Sequence, residues 1–568
     1  MRTRAMVVMA AMIAGLGSRS GRTQESVYLE QGWTSAVRER FYQTYQGSQL
    51  MPYRWFLALE SEPGVPFGGA ASIGRFGYLG THASPSNPDG LPIGFVKDHD
   101  PRTGDWLGFN CAACHTAQIA FKGQTRRIDG GPTLANYTAF DRALRQALKA
   151  TLNDPARFAP FAAKLLGPAE PAPDPLAPIS AIDREVLLRK DIEAYLAARD
   201  SFAARNRSSL VHGPGRLDAL GILVNEIVGT DMKLPENYRE PNAPVSYPAL
   251  WLTPRLAAVE WNGSVTNPLE RNIGEVLGVF GHASFAGPTH DLFRSTAVVR
   301  NLVALERMVD DLKPPAWPVD FLGAIERTLA ERGRIVYEKA KCAECHGGRP
   351  DRTKPDYGLP LTPPNLFGKQ FLKVWLNPIN QAQTDPRTAL NFADRTAATG
   401  YLAPFFGGLP RVPAAAVTGL ATAMIARRQF EELGLTELEM VEYSNFQAPE
   451  PAPQTPNQLA AGLDALPRVL KRYKSGPLVG IWATAPYLHN GSVKSLYELL
   501  LPASQRAKSF WVGSREFDPR AVGYVSDQAP GLFELDTTLP GNANTGHEYT
   551  AGMADADRWA LVEYLKTF

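Results

Sequence analysis

The four cysteines of this 568-residue chain form two pairs, and a histidine follows each pair. The pairs are Cys111-Ala-Ala-Cys114-His115 and Cys342-Ala-Glu-Cys345-His346. Two thiols on one helical turn can each bond a vinyl group of the same haem, while the adjacent imidazole binds the iron. The spacing therefore predicts two covalent haem c groups, with His115 and His346 as their proximal ligands.

Two other kinds of site also use paired cysteines, namely redox disulfides and zinc sites. A four-thiolate zinc site draws its pairs from nearby parts of a chain, but more than two hundred residues separate Cys114 from Cys342. A thioredoxin-like pair does not need the trailing histidine. Attachment of haem c is the interpretation that accounts for both cysteine pairs and both histidines.

The composition indicates an ordered globular protein that does not bind nucleic acid. The net charge is +2 and 20% of the residues are charged, so there is no basic surplus to bind a phosphate backbone. Residues 1–23 combine a positively charged start with a short apolar run, as a secretory signal peptide does. We therefore expect a periplasmic or secreted protein with no transmembrane segment in its mature form.

The predicted fold is mainly α, with a helix leading into the second motif and a less regular entry, Leu107-Gly-Phe-Asn, into the first. Helical patterns occupy about 137–165 and 182–206, a helical stretch runs from Phe321 into Cys342, and another covers Asp555 to Phe568. Gly333 and Tyr337 in the second of these stretches and Tyr564 in the last predict a helix crossing, because glycine permits close approach of an aromatic ring.

Proline-rich breaks suggest how the chain is divided. The run Lys313-Pro-Pro-Ala-Trp-Pro318 cannot continue a helix. We expect two cytochrome c-like haem domains with long loop-rich insertions. The N-terminal domain covers residues 24–315 and carries the catalytic haem, and the C-terminal domain covers residues 316–568 and carries the electron-transfer haem.

Further motifs make the chain resemble a known family. They are Pro132-Thr-Leu-Ala-Asn136, Ala483-Thr-Ala-Pro-Tyr-Leu-His489-Asn-Gly-Ser, Tyr247-Pro-Ala-Leu-Trp251, Val259-Glu-Trp261-Asn-Gly and Thr545-Gly-His547-Glu-Tyr. With the cysteine pairs they resemble the bacterial di-haem cytochrome c peroxidase superfamily. Within it, the last three motifs are most similar to the branch that holds the rubber oxygenases and the di-haem fatty-acid oxygenases.

The resemblance implies a division of labour between the haems. An iron with two protein ligands carries electrons, whereas an iron with a vacant position binds O2 or peroxide. The peroxidases use a methionine as sixth ligand of the second haem, but the matching positions around Ala503 hold no ligand. We expect His547 in that role, with His489 as the alternative. The other histidines, His82, His99, His212, His282 and His290, are expected in the core or on the surface.

Two more site predictions come from the resemblance. The peroxidases place a tryptophan between the haems, but this chain has none from 116 to 250. Trp251 and Trp261 are the nearest substitutes, and we expect them to be catalytic residues beside the first haem, with ordinary core packing as the alternative. The family also binds a calcium ion, and hard oxygen ligands at Asn136, Thr484 and Pro486 match its site. The alternative for Asn136 is a turn cap.

Three functions are compatible with these features. The leading one is an oxygenase that adds O2 to an apolar unsaturated substrate, a polyisoprene or a fatty acid, in a pocket without charged groups. The second is a peroxidase that reduces H2O2 with electrons from a small redox protein, but the missing tryptophan and methionine count against it. The third is an electron carrier with both irons saturated, for which 568 residues are more than two simple cytochrome domains need.

Overall fold

The computed structural model describes residues 27–167, 181–287, 289–365, 367–444 and 455–568. The predicted signal peptide, residues 1–23, lies outside the described residues. Helices hold 43% of the structure and strands 15%, so the chain has mixed content and the expectation of a mainly α fold holds only loosely. Among the described residues, no helix is long and apolar enough to cross a membrane.

The first half of the chain contains nine α-helices among the described residues. They are α1 (Ser35–Gln43), α2 (Tyr53–Ala58), α3 (Ala70–Gly74), α4 (Tyr137–Asn153), α5 (Pro155–Leu166), α6 (Ala181–Arg205), α7 (Ala219–Val224), α8 (Pro268–Gly278) and α9 (Val299–Asp310). Of these helices, α4, α7 and α8 contribute to the wall of the cavity described below. A π-helical segment, Asn225–Asp231, continues α7. The helical patterns expected at 137–165 and 182–206 correspond to α4, α5 and α6.

The second half contains shorter helices around the second motif. They are α10 (Val319–Leu322), α11 (Arg327–Lys339), α12 (Ala343–His346), α13 (Ile379–Ala382), α14 (Arg387–Ala393), α15 (Ala414–Glu432), α16 (Glu437–Ser444), α17 (Pro456–Val469), α18 (Leu496–Leu499) and α19 (Asp555–Leu565). The prediction of one helical stretch from Phe321 to Cys342 is wrong. Gly323 has a φ of +95°, which ends α10. A separate helix, α11, then begins at Arg327, and the side chain of Glu326 caps it.

Strands form small antiparallel sheets. They are β1 (Met51–Pro52), β2 (Glu60–Glu62), β3 (Val65–Pro66), β4 (Phe95–Asp100), β5 (Gly104–Phe109), β6 (Thr116–Phe121), β7 (Gln124–Asp129), β8 (Arg216–Leu217), β9 (Val245–Ser246), β10 (Trp375–Pro378), β11 (Thr396–Ala398), β12 (Arg411–Pro413), β13 (Arg472–Ser475), β14 (Ser509–Val512), β15 (Phe517–Asp518), β16 (Gly523–Tyr524) and β17 (Phe533–Asp536). The pairings are β1-β5-β4, β2-β3, β6-β7, β8-β9, β10-β13, β11-β12, β14-β17 and β15-β16. The hairpins β4-β5 and β6-β7 flank the first motif on either side.

The helices α11 and α19 cross at Gly333, as the sequence predicts. A Cβ atom at this position would lie 2.0 Å from the carbonyl oxygen of Ala560. The rings of Tyr337 and Tyr564 meet edge to face, with centroids 5.6 Å apart. Only glycine allows the two backbones to come this close.

One hydrophobic core extends across the predicted domain boundary. It contains Leu29 and Trp251 together with Trp482 and Leu561. Outside the core, the amide of Ala120 in β6 donates a hydrogen bond of 2.7 Å to a carbonyl of the second half, that of Arg515. The two halves of the chain therefore share a core and a backbone hydrogen bond. The domain boundary at 315/316 stays a prediction.

Candidate functional site

Both cysteine motifs open onto one internal cavity. Its volume is about 870 Å³, and its wall includes all four cysteines, His115, His346, His489 and His547. The cysteines all lie in the described part of the chain, and none of them forms a disulfide there. Within that part, no group of three or more His, Cys, Asp or Glu side chains could hold a metal ion on its own. The shape and donors are those of a site for a large prosthetic group rather than a zinc ion.

The first motif is held as a tight turn by its neighbours. The Asn110 side chain accepts a hydrogen bond from the amide of Ala112 and donates to the carbonyl oxygens of Phe41 and Thr44, at 2.7 and 2.9 Å. The turn packs on Gly94, where a Cβ atom would come within 1.9 Å of the backbone. These contacts fix both thiols at the edge of the cavity.

His115 has its ring fixed by a backbone carbonyl. Its Nδ1 donates to the carbonyl oxygen of Pro248 at 2.8 Å, so Nε2 is the nitrogen that keeps its lone pair. Burial lowers the pKa of His115 to about 4, which keeps the imidazole neutral. Pro248 lies in the Tyr247-Pro-Ala-Leu-Trp251 motif, so one part of that motif orients the proximal histidine.

His346 is oriented in the same way and faces a second imidazole. Its Nδ1 donates to the carbonyl oxygen of Gly476 at 2.9 Å. The ring centroids of His346 and His547 lie 6.2 Å apart. Two metal–nitrogen bonds of about 2.0–2.1 Å plus the two ring radii span roughly this distance, so one iron fits between the rings. The residues of the second motif therefore fit a haem with two histidine ligands.

The loop that carries His547 is anchored by Arg506. This buried guanidinium donates to the carbonyl oxygens of Asn544, Gly546 and His547, the last two at 2.8 and 3.4 Å. Gly546 has a φ of +73°, and a Cβ there would meet the backbone of Gln383 at 2.3 Å. The Nδ1 of His547 is buried without a hydrogen-bond partner, and burial lowers the pKa of this histidine to about 3. The sequence analysis missed Arg506, whose position is set by contacts about forty residues away.

His489 lies in the cavity wall away from that pair. Its ring stacks on Tyr473 with centroids 4.2 Å apart. Its carbonyl oxygen accepts a hydrogen bond from the amide of Ser246 at 2.9 Å. No ring contact joins it to either proximal histidine among the described residues, so the geometry favours His547 over His489 as partner of His346.

Trp251 and Trp261 both line the cavity, and each has its indole fixed by the backbone. The Nε1 of Trp251 donates to the carbonyl oxygen of Val479 at 2.9 Å, and that of Trp261 to Ser246 at 3.0 Å. Trp251 is also part of the hydrophobic core. Trp251 thus has the core packing that the sequence left open as the alternative, and the role of both tryptophans beside the first haem stays a prediction.

The residues expected to bind calcium are distributed differently. Thr484 and Pro486 line the cavity. The side chain of Asn136 accepts hydrogen bonds from the amide of Ala139 and the hydroxyl of Thr138, both at 3.1 Å, and so caps α4. The capping alternative is therefore present in the structure, and the calcium site stays a prediction.

The expectation of a pocket without charged groups is wrong. The cavity wall includes Glu260, Glu270, Arg271, Glu275 and Lys474. Three of these residues come from α8, whose alternating charges are typical of a helix exposed to solvent. Contacts with α7, α9 and α15 instead turn this polar face towards the cavity, and sequence periodicity does not show that.

Comparison with known proteins gives a family for the whole chain. The uncharacterised protein y4iJ of Sinorhizobium fredii (strain NBRC 101917 / NGR234) is 32% identical to this chain. The alignment is 599 positions long and covers 96% of this chain and 94% of y4iJ. The chain belongs to the same family as y4iJ. A second relative, the uncharacterised protein y4iM of that strain, is 27% identical and covers 56% of this chain and 63% of y4iM.

A family model identifies one part of this y4iJ-like chain more closely. Residues 472–512 match the model described as RoxA-like, cytochrome c-like. The matched segment includes β13, the carbonyl of Gly476 that orients His346, and the motif around His489. The match supports haem c as the cofactor and a haem-dependent oxidoreductase as the class of protein.

Proposed function

We propose that this protein is a di-haem c-type oxidoreductase that oxidises an apolar unsaturated substrate, a polyisoprene or a fatty acid, with O2. The reaction takes place at the site of Cys111, Cys114 and His115. The observation that carries the proposal is an asymmetry between the motifs. His346 faces His547 across the space of one iron, whereas the ring contact of His115 is with Tyr247, at 6.1 Å.

The asymmetry assigns different work to the two sites. Haem supplies an iron that binds O2 or transfers an electron when it is bound at these motifs. At the second motif, His346 and His547 would together hold the iron, which suits electron transfer. At the first motif the chain would hold the iron through His115, no methionine lines the cavity in the part of the chain that the structure describes, and His489 in the wall stacks on Tyr473. A site that would leave the iron free to bind O2 beside a walled cavity is what an oxygenase needs.

The cavity wall also suits an apolar substrate in part. Leu220, Leu223, Leu256 and Val265 line it together with Trp251 and Trp261. These side chains exclude water from a bound substrate, and the two indoles are held rigidly by their backbone contacts. The match of residues 472–512 to a RoxA-like model supports the same oxygenase branch.

The acidic groups of the wall favour a second candidate, a peroxidase. Reduction of H2O2 to water needs two electrons and two protons, and a carboxyl group near the iron supplies protons. Glu275 and Glu270 lie in the cavity wall, and burial raises the pKa of each to about 7. In this case a small redox protein delivers electrons to the second haem.

The proposal includes three features of the mature protein. Residues 1–23 direct export and are removed, so the protein acts in the periplasm or outside the cell. Residues 24–315 form the catalytic haem domain and 316–568 the electron-transfer domain. A calcium ion binds through Asn136, Thr484 and Pro486, and chelation should then lower thermal stability in a way that added Ca²⁺ restores.

The first experiment counts the haems and measures both reactions. The mass of the denatured protein should exceed that of the polypeptide by two haems. O2 uptake and product analysis with oleate and with polyisoprene are then compared with peroxide turnover using a reduced cytochrome. Two six-coordinate haems that ignore O2, CO and peroxide would instead make the protein an electron carrier.

The tryptophans provide the site-directed test of the first haem site. Trp251→Ala or Trp261→Ala should lower turnover at least tenfold while the haem content stays near two per chain, because each change opens the wall beside the first motif. Trp511→Ala is the matched control, since this tryptophan of β14 does not line the cavity. Equal losses in all three variants would show a general effect of losing an indole and refute the assignment.

A further inference from the structure

An ionisable cluster lies in the cavity wall next to the first motif. Three of its members are on α8, namely Glu270, Arg271 and Glu275. Glu260 and Lys474 line the same cavity, and Glu306 of α9 joins the cluster from behind. Neither the oxygenase nor the peroxidase candidate gives a role to Arg271 or Glu260. The function of the cluster as a whole is therefore open.

Arg271 is the centre of the cluster. Its Nη2 donates to Glu306 Oε2 at 3.0 Å, and its Nε lies 3.6 Å from Glu275 Oε1. Asn272 donates to the same oxygen of Glu306 at 2.9 Å, which fixes that carboxylate behind the arginine. Arg271 therefore contacts two carboxylates. That of Glu306 is held by hydrogen bonds from both Arg271 and Asn272, and that of Glu275 by one longer contact with Arg271.

Glu275 is the member that faces the cavity. Its side chain is 45% accessible, compared with 7% for Arg271 and 13% for Glu306. Glu275 lines the cavity wall. A carboxyl group in this position can exchange a proton with the cavity while Arg271 keeps it in place.

The cluster contains more carboxyl groups than cationic groups, which favours protonation of a carboxyl group near neutral pH. The carboxyl groups are those of Glu260, Glu270, Glu275 and Glu306, and the cationic groups are those of Arg271 and Lys474. Burial raises the pKa of Glu275 to about 7, and Arg271 opposes this effect. Burial also lowers the pKa of Lys474 to about 8. The other elements that pack on α8 from this side, α7 and α15, contribute uncharged residues to the wall, among them Leu220, Leu223, Thr418 and Gly419.

The cluster is close enough to the first motif to sense its charge. Glu275 and Arg271 line the same cavity as Cys111 and His115. Among charged groups they have the largest electrostatic effects on the pKa of the Cys111 thiol, and Arg271 also lowers the pKa of His115. An electron added at this motif makes a nearby carboxylate harder to keep ionised. The proton balance of the cluster and the redox state of the first site are therefore linked.

We propose that Glu275, positioned by Arg271, takes up one proton from the cavity when the first haem site takes up one electron. The electron comes from a reduced small redox protein, which is oxidised by one electron, the proton comes from solvent, and the O–H bond of the Glu275 carboxyl is the bond that forms. The stored proton is then available for oxygen or peroxide chemistry at the same site. The inference rests on the proposed binding of haem at the first motif and holds for either candidate reaction.

The test is a spectroscopic redox titration of the haem-loaded protein between pH 5.5 and 8.5. The midpoint potential of the first haem should fall as the pH rises through about 7 in the wild type. Glu275→Gln should reduce this slope at least twofold and leave the potential of the second haem unchanged. Glu431→Gln is the matched control, because Glu431 forms the same i,i+4 pair with Arg427 on the surface of α15.

Each outcome decides one question. A slope in Glu275→Gln equal to that of the wild type overturns the inference. If Glu275→Gln does not retain haem, Glu275→Asp replaces it: a carboxyl moved by one methylene should keep the slope and shift the pH at which it begins. An unshifted profile in that variant also overturns the inference. Absence of any haem at the first motif in the wild type refutes the proposed function itself.

Discussion

Replacement of His547 by alanine should convert one haem of this protein from low spin to high spin. The ring of His547 lies 6.2 Å from that of His346, a separation that one iron with two nitrogen bonds of about 2.0–2.1 Å spans. Removal of one ring would leave His346 as the one histidine of this pair that could hold an iron at the second motif. Because the protein carries two haems in the proposal, half of the total haem should lose its low-spin spectrum.

The variant His547→Ala would also open space at the second motif. His547 borders the internal cavity, so an alanine leaves room for a small ligand from solution. Imidazole added to the buffer should enter this space and restore the low-spin spectrum, and CO should bind the reduced variant at a second haem. Electronic absorption and magnetic circular dichroism measure both changes.

His489→Ala is the matched control, because His489 borders the same cavity but stacks on Tyr473 at 4.2 Å. Its low-spin fraction should equal that of the wild type. The reasoning is refuted if His547→Ala keeps the wild-type spectrum while His489→Ala loses the low-spin signal, since the ligand would then be His489.

Two further predictions concern stability. Gly333→Ala should lower the free energy of unfolding by about 1–3 kcal/mol, because the new Cβ would lie 2.0 Å from the carbonyl oxygen of Ala560. Gly462→Ala in α17 is its control, since a Cβ there meets nothing within 4 Å, and thermal unfolding should show no loss; equal losses would contradict the close crossing. Asp98 is buried with one carboxylate oxygen unpaired, and burial raises its pKa to about 7. As the pH rises from 4 to 7 the unfolded chain releases this proton before the folded one does, so stability falls by roughly 2–4 kcal/mol. The melting temperature of Asp98→Asn should therefore rise relative to that of the wild type as the pH increases from 5 to 8. A difference in melting temperature that stays constant over this range would count against the raised pKa.

The sequence could predict the parts of this site that are local. The spacing of two thiols and a histidine fits within one turn, so both motifs can be recognised without a structure, and the roles of His115 and His346 as proximal ligands stay predictions. Gly333 and Tyr564 were also readable, because a helix crossing needs one small residue and one ring. His547 was reached through the resemblance and not through spacing.

The parts that were not predictable depend on distant contacts. The carbonyls that orient His115 and His346 belong to Pro248 and Gly476, which are 133 and 130 residues further along the chain. A backbone carbonyl has no sequence signature. Arg271 and Glu275 form an i,i+4 pair that is typical of a solvent-exposed helix, and only packing of α8 between its neighbours makes this face internal.

The core shared by the two halves links the shape of the cavity to both of them. Leu29 packs in the same core as Trp482, so this core is complete only when both halves of the chain are folded together. A second core, within residues 50–280, belongs to the first half alone. The wall at Trp251 also depends on the later part of the chain, because its indole donates to the carbonyl oxygen of Val479. The first half can therefore fold much of its own core, whereas the cavity takes its full shape only when the second half packs against it.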